Sequence, residues 1–315
     1  MLNITLRQMR SLIAIRDHGK ISSAARALGL TSPAVTIQLK QAEEELGTEL
    51  FVRTREGTII TRSGQMVIES ANRIMNEIEL LNERLDDLKG LKTGSIRLGA
   101  VSTGKYFAPR MIAAFADLYP GISINLVAAN RAEIISRLQS HDIDIALMGR
   151  PPKHFGVHAT LFGDHPMVYI CNPSHPMAER RDIGLNEIAR QKFIVRERGS
   201  GTRSSFEFLM SNLGGDRELL RTEMDSNETI KQAVMAGLGI AFISGHTIEH
   251  EMRAGTLVVM DVEDTPVRRQ WYSVRHADRR PTPAMLALDE FLRMRGPSLL
   301  PLMTKTYRTG SLTPE

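Results

Sequence analysis

One stretch of this 315-residue sequence carries side chains that suit contact with nucleic acid. Within ten residues, Ser32, Thr36, Gln38 and Lys40 offer short or forked hydrogen-bonding groups and a cation, and Pro33 would face the groove with them. Such side chains reach base edges and phosphates when their helix lies in the major groove of DNA. Pro33 suits the first turn of that helix, where a backbone N–H has no helical partner. The stretch therefore predicts a recognition helix.

A basic hairpin is predicted directly after this helix. The stretch FVRTREGTIITRSG has a turn signal at Glu56-Gly57 and three arginines, Arg53, Arg55 and Arg62. A cationic hairpin beside a recognition helix is the wing of a winged helix, which contacts the flanking backbone or minor groove. A charged surface hairpin without a ligand is the alternative. We expect Arg53 and Arg55 to contact the DNA backbone.

A second set of polar residues follows the predicted strands of the C-terminal two thirds. Ligands of open α/β sheets bind at the carboxyl ends of strands and at helix N-termini, where backbone N–H groups attract anions. Each of these residues alone is more often part of a helix cap, but together they favour a small anionic metabolite. The candidate effector-binding residues are Ser102, Thr103, Lys105, Asn130, Arg150, Thr202 and Arg203.

Catalytic chemistry has little support in the sequence. GxSxG, HExxH, GxxxxGK[ST] and paired-cysteine metal motifs are all absent, so no catalytic residue and no metal ligand is assigned. His246 and His250 stand four residues apart without a third ligand, which favours a surface pair. The single cysteine, Cys171, lies in the apolar run MVYICN and is expected to be a core thiol. We expect no enzyme and no cofactor.

The elements that position the recognition helix have the pattern of a helix-turn-helix between Ile21 and Leu46. Ala25, Gly29 and Val35 supply the small and apolar contacts that two closely crossing helices need, and Gly29 permits a positive φ. An ordinary αα-hairpin with a polar face is the alternative. Residues 1–62 hold nine Lys and Arg against six Asp and Glu, which supports binding to nucleic acid.

A long helix is predicted from Ser63 to about Leu91. Apolar residues step through it by four and three in a strict heptad register, with charged residues off the seam. Packing on the chain's own core is the alternative to a coiled-coil homodimer, which would give double-stranded DNA two reading heads. The seam consists of Val67, Ala71, Ile74, Ile78, Leu81, Leu85 and Leu88.

Beyond a predicted hinge at Gly90–Gly94, strands and helices alternate, which favours parallel sheets covered by helices. About 200 residues of this pattern suggest two α/β lobes with a cleft between them. We expect lobe closure around a ligand to reach the DNA heads through the hinge. The predicted domains are 1–62, 63–91 and 92–297, with lobe I at about 92–163 plus 266–297, lobe II at about 164–265, and a loosely packed tail at 298–315.

Composition and hydropathy indicate a globular chain. Hydrophobic residues make up 42% of the sequence and charged residues 24%, with a net charge of +4. No stretch approaches about 18 uninterrupted apolar residues, and the N-terminus has no apolar signal core. We therefore expect a cytoplasmic protein without a membrane partner.

The order of these parts resembles that of the LysR-type transcriptional regulators. The head RQMRSLIAIRDHGKISSAARALGLTSPAVTIQLKQAEEELGTELFVR is similar to the N-terminal pattern of the family. The resemblance implies a winged helix-turn-helix, a coiled-coil linker helix and a bilobal, periplasmic-binding-protein-like α/β effector domain. It also implies a homotetramer, built as a dimer of dimers, that bends an upstream promoter site and changes the bend when effector binds. Contact with RNA polymerase is a further option.

The C-terminal half resembles, within this family, the regulators of Calvin–Benson carbon-fixation operons. That resemblance implies an activator that responds to ribulose bisphosphate, phosphoglycerate or a reduced nicotinamide nucleotide. In RERGSGTR, Arg198 stands where proline is expected, which should alter the loop before Thr202. The matching stretches are VSTGKYFAPRMIAAF, IDIALMGRPP, RERGSGTR and SNETIKQAVMAGLGIAFIS.

Two other functions remain open at this point. One is a LysR-type regulator of another pathway that senses a non-phosphorylated carboxylate. The other is a solute-binding protein or an enzyme with a spurious head, which the missing signal peptide and the missing catalytic constellation disfavour.

Overall fold

The structure is a computed structural model that describes residues 3–55, 57–88, 93–211 and 221–301. The chain divides into two compact units, Met1–Gly90 with Ser140–Asp142, and Leu91–Gln139 with Ile143–Glu315. Within the described residues, none of the helices has the length and apolar character needed to span a membrane.

Three short helices form the core of the first unit: α1 (Leu6–His18), α2 (Ile21–Ala27) and α3 (Ser32–Leu46). Gly29 takes a φ of +65° between α2 and α3, which glycine adopts without a steric penalty. Thr31 caps α3 by accepting a hydrogen bond from the backbone N–H of Ala34. Leu12, Ala25 and Val35 are buried between the helices. The predicted helix-turn-helix is confirmed.

A short antiparallel hairpin follows, with strands β1 (Phe51–Arg53) and β2 (Thr58–Ile60). The long helix α4 (Arg62–Leu88) comes next and begins one residue earlier than predicted. Arg62 therefore belongs to α4 rather than to the hairpin. Residues 89–92, which hold the end of the predicted long helix and most of the predicted Gly90–Gly94 hinge, lie outside the described residues.

The second unit is built on a seven-stranded sheet in the order β10-β6-β11-β5-β3-β4, with β9 also paired to β6. A separate parallel pair joins β7 to β8. The strands are β3 (Gly94–Val101), β4 (Ile122–Ala129), β5 (Ile145–Met148), β6 (Val157–Cys171), β7 (Phe193–Arg196), β8 (Arg221–Met224), β9 (Ala241–Ser244), β10 (Val258–Val259) and β11 (Val267–His276). The helices are α5 (Ala108–Ala116), α6 (Arg131–Gln139), α7 (Leu185–Ile188), α8 (Gly201–Ser211), α9 (Asn227–Met235), α10 (Glu249–Ala254) and α11 (Pro283–Leu299).

The predicted alternation of parallel strands is only partly right. β3 pairs in parallel with β4 and β5, but β6 and β11 form a long antiparallel pair through the middle of the sheet. β6 runs without interruption from Val157 to Cys171 and includes most of the apolar run MVYICN. Gly163, within β6, makes room for Leu300, because a Cβ there would lie 2.4 Å from Leu300 Cδ1.

Separate hydrophobic cores pack at the two ends of the β6–β11 pair. One contains Phe107, Phe115 and Phe162, and another contains Tyr169 and Phe193. This is the two-lobed arrangement that the sequence predicted. Helix α11 continues past Pro297, and Leu300 is buried in the first core. The described part of the predicted tail is therefore packed; residues 302–315 lie outside the described residues.

An aromatic stack lies where the two strands cross from one lobe to the other. The ring centroids of His165 and Trp271 are 3.9 Å apart, and Trp271 Nε1 donates to His246 Nδ1 over 3.1 Å. Burial lowers the pKa of His246 to about 4. The predicted surface pair of His246 and His250 is wrong, because His246 lies in a buried 3-10 turn that the spacing did not reveal.

The depressed pKa of His246 predicts acid sensitivity of the second unit. Between pH 4 and 6.5, His246 is protonated in the unfolded chain but neutral in the folded protein. The free energy of unfolding therefore falls as the pH falls. His246→Gln keeps an acceptor for Trp271. It should reduce the slope of the free energy of unfolding against pH by about 1.4 kcal/mol per pH unit. Denaturant unfolding at pH 5 and 7, followed by fluorescence of the single tryptophan, Trp271, measures it. An unchanged slope would contradict the assignment, and exposed His158→Gln is the control.

Candidate functional site

Four of the five predicted groove residues lie on the outward side of α3. Ser32, Pro33 and Lys40 are exposed, and half-buried Thr36 donates through Oγ1 to the carbonyl of Ser32. Ile37, which sequence reasoning missed, is 54% exposed on the same helix. An exposed isoleucine beside polar groups on a recognition helix suits contact with a thymine methyl group.

Gln38 lies on a different side of α3. It is half-buried, and its Oε1 accepts a hydrogen bond from Ser11 Oγ of α1. Gln38 is one residue from buried Leu39 and three residues from buried Val35, so its side chain faces α1, which packs against α3. This geometry gives Gln38 a role in holding α1 against α3, which argues against the predicted groove contact.

The wing places Arg53 and Arg55 at exposed positions. Its β2 end is fixed to the C-terminus of α1, because the backbone N–H and the hydroxyl of Thr58 both donate to the carbonyl of Gly19, at 2.8 and 2.9 Å. A Cβ at Gly57 would lie 2.4 Å from the same oxygen. The wing is thus held against α1 by hydrogen bonds and close backbone packing.

The second unit contains a cavity of about 270 Å³ lined by residues of both lobes. Five of the seven predicted effector residues line it. Ser102 and Thr103 follow β3, Arg150 follows β5, and Ser102 Oγ donates to the carbonyl of Ala129 over 3.0 Å. The expectation that ligands bind at the carboxyl ends of strands therefore predicted most of these lining residues. The five residues are Ser102, Thr103, Asn130, Arg150 and Thr202.

Lys105 and Arg203 are not among the residues that line the cavity. Lys105 is exposed. Arg203 donates to Glu207 over 2.8 Å and to the carbonyl of Arg196 over 3.1 Å, and it also contacts Glu223. One residue along α8 turns a side chain by about 100°, which takes Arg203 away from the side of Thr202. These contacts give Arg203 a structural role, and its effector contact stays a prediction.

Four further cations line the cavity: Arg131, Lys153, Arg196 and Arg269. Burial and the neighbouring Arg150 lower the pKa of Arg131. Arg196 is buried and donates to Asn227 Oδ1 and Glu197. Arg131 directly follows Asn130 at the end of β4, a position that the sequence marks, whereas Arg196 and Arg269 lie on strands and gave no local signal.

Two helix N-termini face the cavity. Asn130 caps α6 by accepting from the N–H of Glu133 over 3.0 Å, and α8 begins at the cavity residues Gly201 and Thr202. Gly199 before α8 has a φ of +87°, while Arg198, the residue in place of the expected proline, is exposed and does not line the cavity. Helix N-termini and cationic side chains both attract anions.

The described residues that line the cavity carry charges of one sign. Together with Arg150, the four additional cations make five, and no Asp or Glu occurs among the described residues that line the cavity. Burial, and after it the neighbouring Arg150, lowers the pKa of Arg131, since both disfavour the charged guanidinium. A lining of this charge suits an anionic ligand.

No cluster of three or more potential metal-binding side chains occurs in the part of the chain that the structure describes. Cys171 is buried, and burial raises the pKa of its thiol to about 12. As predicted, it is a core thiol; a group held in its neutral form is a poor nucleophile.

Family models match both parts of the chain. Residues 6–65 match the bacterial regulatory helix-turn-helix protein, lysR family, and residues 89–297 match the LysR substrate binding domain. The chain belongs to the LysR-type transcriptional regulators, a family of DNA-binding proteins with small-molecule effectors.

Individual relatives show which members of the family this chain is similar to. The chain is 52% identical to the HTH-type transcriptional regulator CbbR of Rhizobium meliloti (strain 1021), over 98% of both chains. It is 40% identical to the RuBisCO operon transcriptional regulator of Allochromatium vinosum, over 92% of this chain and 96% of that protein. These relatives are regulators, which confirms the expectation that the chain is not an enzyme.

One solved structure bears on the second unit. The Synechocystis PCC6803 CcmR regulatory domain in complex with 2-PG is 32% identical, with a TM-score of 0.61. It matches 64% of this chain and 96% of its own length.

The outward face of α3 predicts a specific effect of Lys40 on DNA binding. If its ammonium contacts a phosphate, Lys40→Ala should weaken binding and reduce the salt-dependence slope of log K by about 0.9. Titrations of DNA from beside the protein's own gene, at several salt concentrations, measure the slope. Lys105→Ala removes the same charge from the second unit and should leave it unchanged. An unaltered slope in Lys40→Ala would remove Lys40 from the interface.

Proposed function

We propose that this chain is a DNA-binding regulator of carbon-fixation operons, chiefly an activator, that responds to a small phosphorylated metabolite. The observation that carries the proposal is the cavity with five cationic side chains and two helix N-termini, whose described lining contains no carboxylate. Phosphate groups bear up to two negative charges, which suits a site with this excess of donors and cations.

The relatives support the operon assignment. CbbR and the RuBisCO operon regulator align with nearly the whole of this chain, from the helix-turn-helix through the effector domain. The 2-PG in the CcmR regulatory domain supports a small effector in a domain of this kind. We propose that the effector contacts Ser102, Thr103, Asn130, Arg150 and Thr202. Arg131 is added to this set because it also lines the cavity.

On the DNA side we propose base or backbone contacts from the outward face of α3 and from the wing. The residues are Ser32, Pro33, Thr36 and Lys40 on the helix and Arg53 and Arg55 on the wing. The regulator would act in the cytoplasm, where the DNA lies. The division into 1–62, 63–91, 92–297 and a tail remains our proposal for its domains.

Exposed apolar residues on α4 support a homodimer. Ile74, Leu81 and Leu85 are 41%, 56% and 46% exposed in the single chain. The first seam positions differ, because Ala71 is buried and Val67 packs on the core of the first unit. We propose that the exposed part of the seam pairs with a second α4, and that two such dimers form a homotetramer able to contact RNA polymerase.

Thermal unfolding of the full-length protein against a panel of metabolites tests the effector. A phosphorylated ligand at about 100 times its Kd should raise stability by about 2.7 kcal/mol. Arg131→Gln should weaken its affinity about tenfold or more, because a charged hydrogen bond is lost. Lys105→Gln, outside the cavity, is the matched control.

The panel also separates the alternatives. A response to plain carboxylates alone would retain the LysR-type regulator and discard the phosphorylated effector. A response to no small anion, together with no specific complex on DNA from beside the gene, would overturn the proposed function.

The α4 seam gives a separate prediction. Leu81→Arg places a charge on an apolar seam and should shift the protein from dimer or tetramer towards monomer in analytical ultracentrifugation. Asn82→Arg adds the same side chain beside the seam, where charges are tolerated, and should leave assembly intact. An unchanged assembly in Leu81→Arg would show that the contact between protomers lies elsewhere.

A further inference from the structure

We propose that Tyr106, Glu228 and Lys231 form a latch between the two lobes, and that this interlobe latch has to open before a ligand can leave the cavity. The inference rests on the proposed function, because it assumes that a phosphorylated ligand enters the cavity. It goes beyond that function by assigning control of ligand release to three residues that do not line the cavity.

The latch residues come from different lobes. Tyr106 ends a 3-10 turn, and the next residue, Phe107, is buried in the core of lobe I. Glu228 and Lys231 lie on α9, whose Ile230 is buried in a core of lobe II. A contact between Tyr106 and α9 therefore joins the two lobes.

Lys231 is held in place within lobe II. Its side chain is buried, and its Nζ donates to the carbonyl of Thr247 over 3.0 Å. The same ammonium forms ion pairs with Glu251 at 2.8 Å and with Glu228 at 3.1 Å. A buried ammonium needs such partners, because burial removes its hydration. Lys231 and its ion pair with Glu228 therefore form the fixed side of the latch.

Two contacts cross from α9 to Tyr106. The phenol hydroxyl donates to Glu228 Oε1, and Lys231 Nζ lies 4.8 Å from the centroid of the Tyr106 ring. A hydrogen bond to a carboxylate is stronger than one between neutral groups, and a cation is attracted to an aromatic face. Burial and the hydrogen bond to Glu228 raise the pKa of Tyr106, so the phenol keeps the proton that it donates.

Both sides of the latch are adjacent to residues of the cavity. Side chains three residues apart in a 3-10 turn lie on the same side, so Tyr106 comes one turn after the cavity residue Thr103. In lobe II, the cavity residue Arg196 donates to Asn227 Oδ1 over 2.5 Å, and Asn227 directly precedes Glu228. A change in the separation of the lobes at the latch would therefore also change the cavity.

The connection between the lobes explains why a latch affects release. The cavity is lined by residues of both lobes, so a ligand in contact with both resists their separation. β6 and β11 run through both lobes and keep them connected, whereas the latch is held by non-covalent contacts alone. A rotation of the lobes about these strands has to break the hydrogen bond between Tyr106 and Glu228, which raises the barrier to opening.

The rate at which 3-phosphoglycerate leaves the full-length protein tests the latch; another phosphorylated compound from the metabolite panel serves if it binds more tightly. Tyr106→Phe removes the hydroxyl and keeps the ring over Lys231, so release should become about three- to tenfold faster. The line shape and relaxation of the phosphorus NMR signal of the exchanging ligand give the release rate.

Tyr272→Phe is the matched control. Its hydroxyl donates to Gln270 Oε1 of the same strand over 2.7 Å, so this substitution removes a tyrosine hydrogen bond that does not cross between the lobes. The release rate of Tyr272→Phe should equal that of the wild-type protein.

A double variant separates the latch from two unrelated structural effects. Glu228→Ala removes the acceptor of the Tyr106 hydroxyl and should also speed release. Because both substitutions break the same hydrogen bond, Tyr106→Phe added to Glu228→Ala should cause no further increase. Unrelated effects would instead multiply in the double variant.

The outcomes distinguish the latch from the proposed function. If Tyr106→Phe releases the ligand at the wild-type rate, or if the two effects multiply, the latch is overturned and the phosphorylated effector stands. If the wild-type protein binds neither 3-phosphoglycerate nor any other phosphorylated metabolite, the proposed function fails and this inference fails with it.

Discussion

The antiparallel pairing of β6 and β11 is the interaction on which the rest of the effector domain depends. Ten successive positions pair, from Val267 opposite Met167 to His276 opposite Val157, with one irregularity at Trp271 and Tyr272. A hydrophobic core packs at each end of the pair, so both lobes share the same two strands. The same register aligns Arg269 with His165 beside the cavity. A slip by one residue would turn each of these side chains to the other face.

Charge is the second constraint, and it is the basis for the proposal that the domain binds an anion. Two of the cations that line the cavity, Arg131 and Arg196, are partly or wholly buried. The described lining residues include no carboxylate. Arg196 is held by Asn227 and Glu197 outside the lining, whereas Arg131 lies against Arg150. Folding keeps these like charges close, so an anion that binds the folded state relieves the repulsion and stabilises that arrangement of the lobes.

Local signals predicted the DNA-binding head well, because Gly29, Thr31 and Pro33 act within their own turn. Strand ends likewise identified five cavity residues, since connections in α/β sheets place them at one edge. Errors arose where distant pairing decides. The alternation of strands and helices predicted parallel sheets, but β6 and β11, which lie far apart in the sequence, pair antiparallel. Arg203 is drawn away by Glu223, a residue that no local pattern links to it, and His165 and Arg269 meet only through strand register.

The most direct test of the central claim, that an anion in this cavity changes how the protein holds DNA, is the DNA bend angle. The full-length protein would be bound to DNA from beside its own gene, with donor and acceptor dyes at the two ends of the fragment. Addition of 3-phosphoglycerate or ribulose bisphosphate should change the energy transfer at constant ionic strength, with sulfate as the control anion. A specific complex whose bend is the same with every phosphorylated compound would contradict the account.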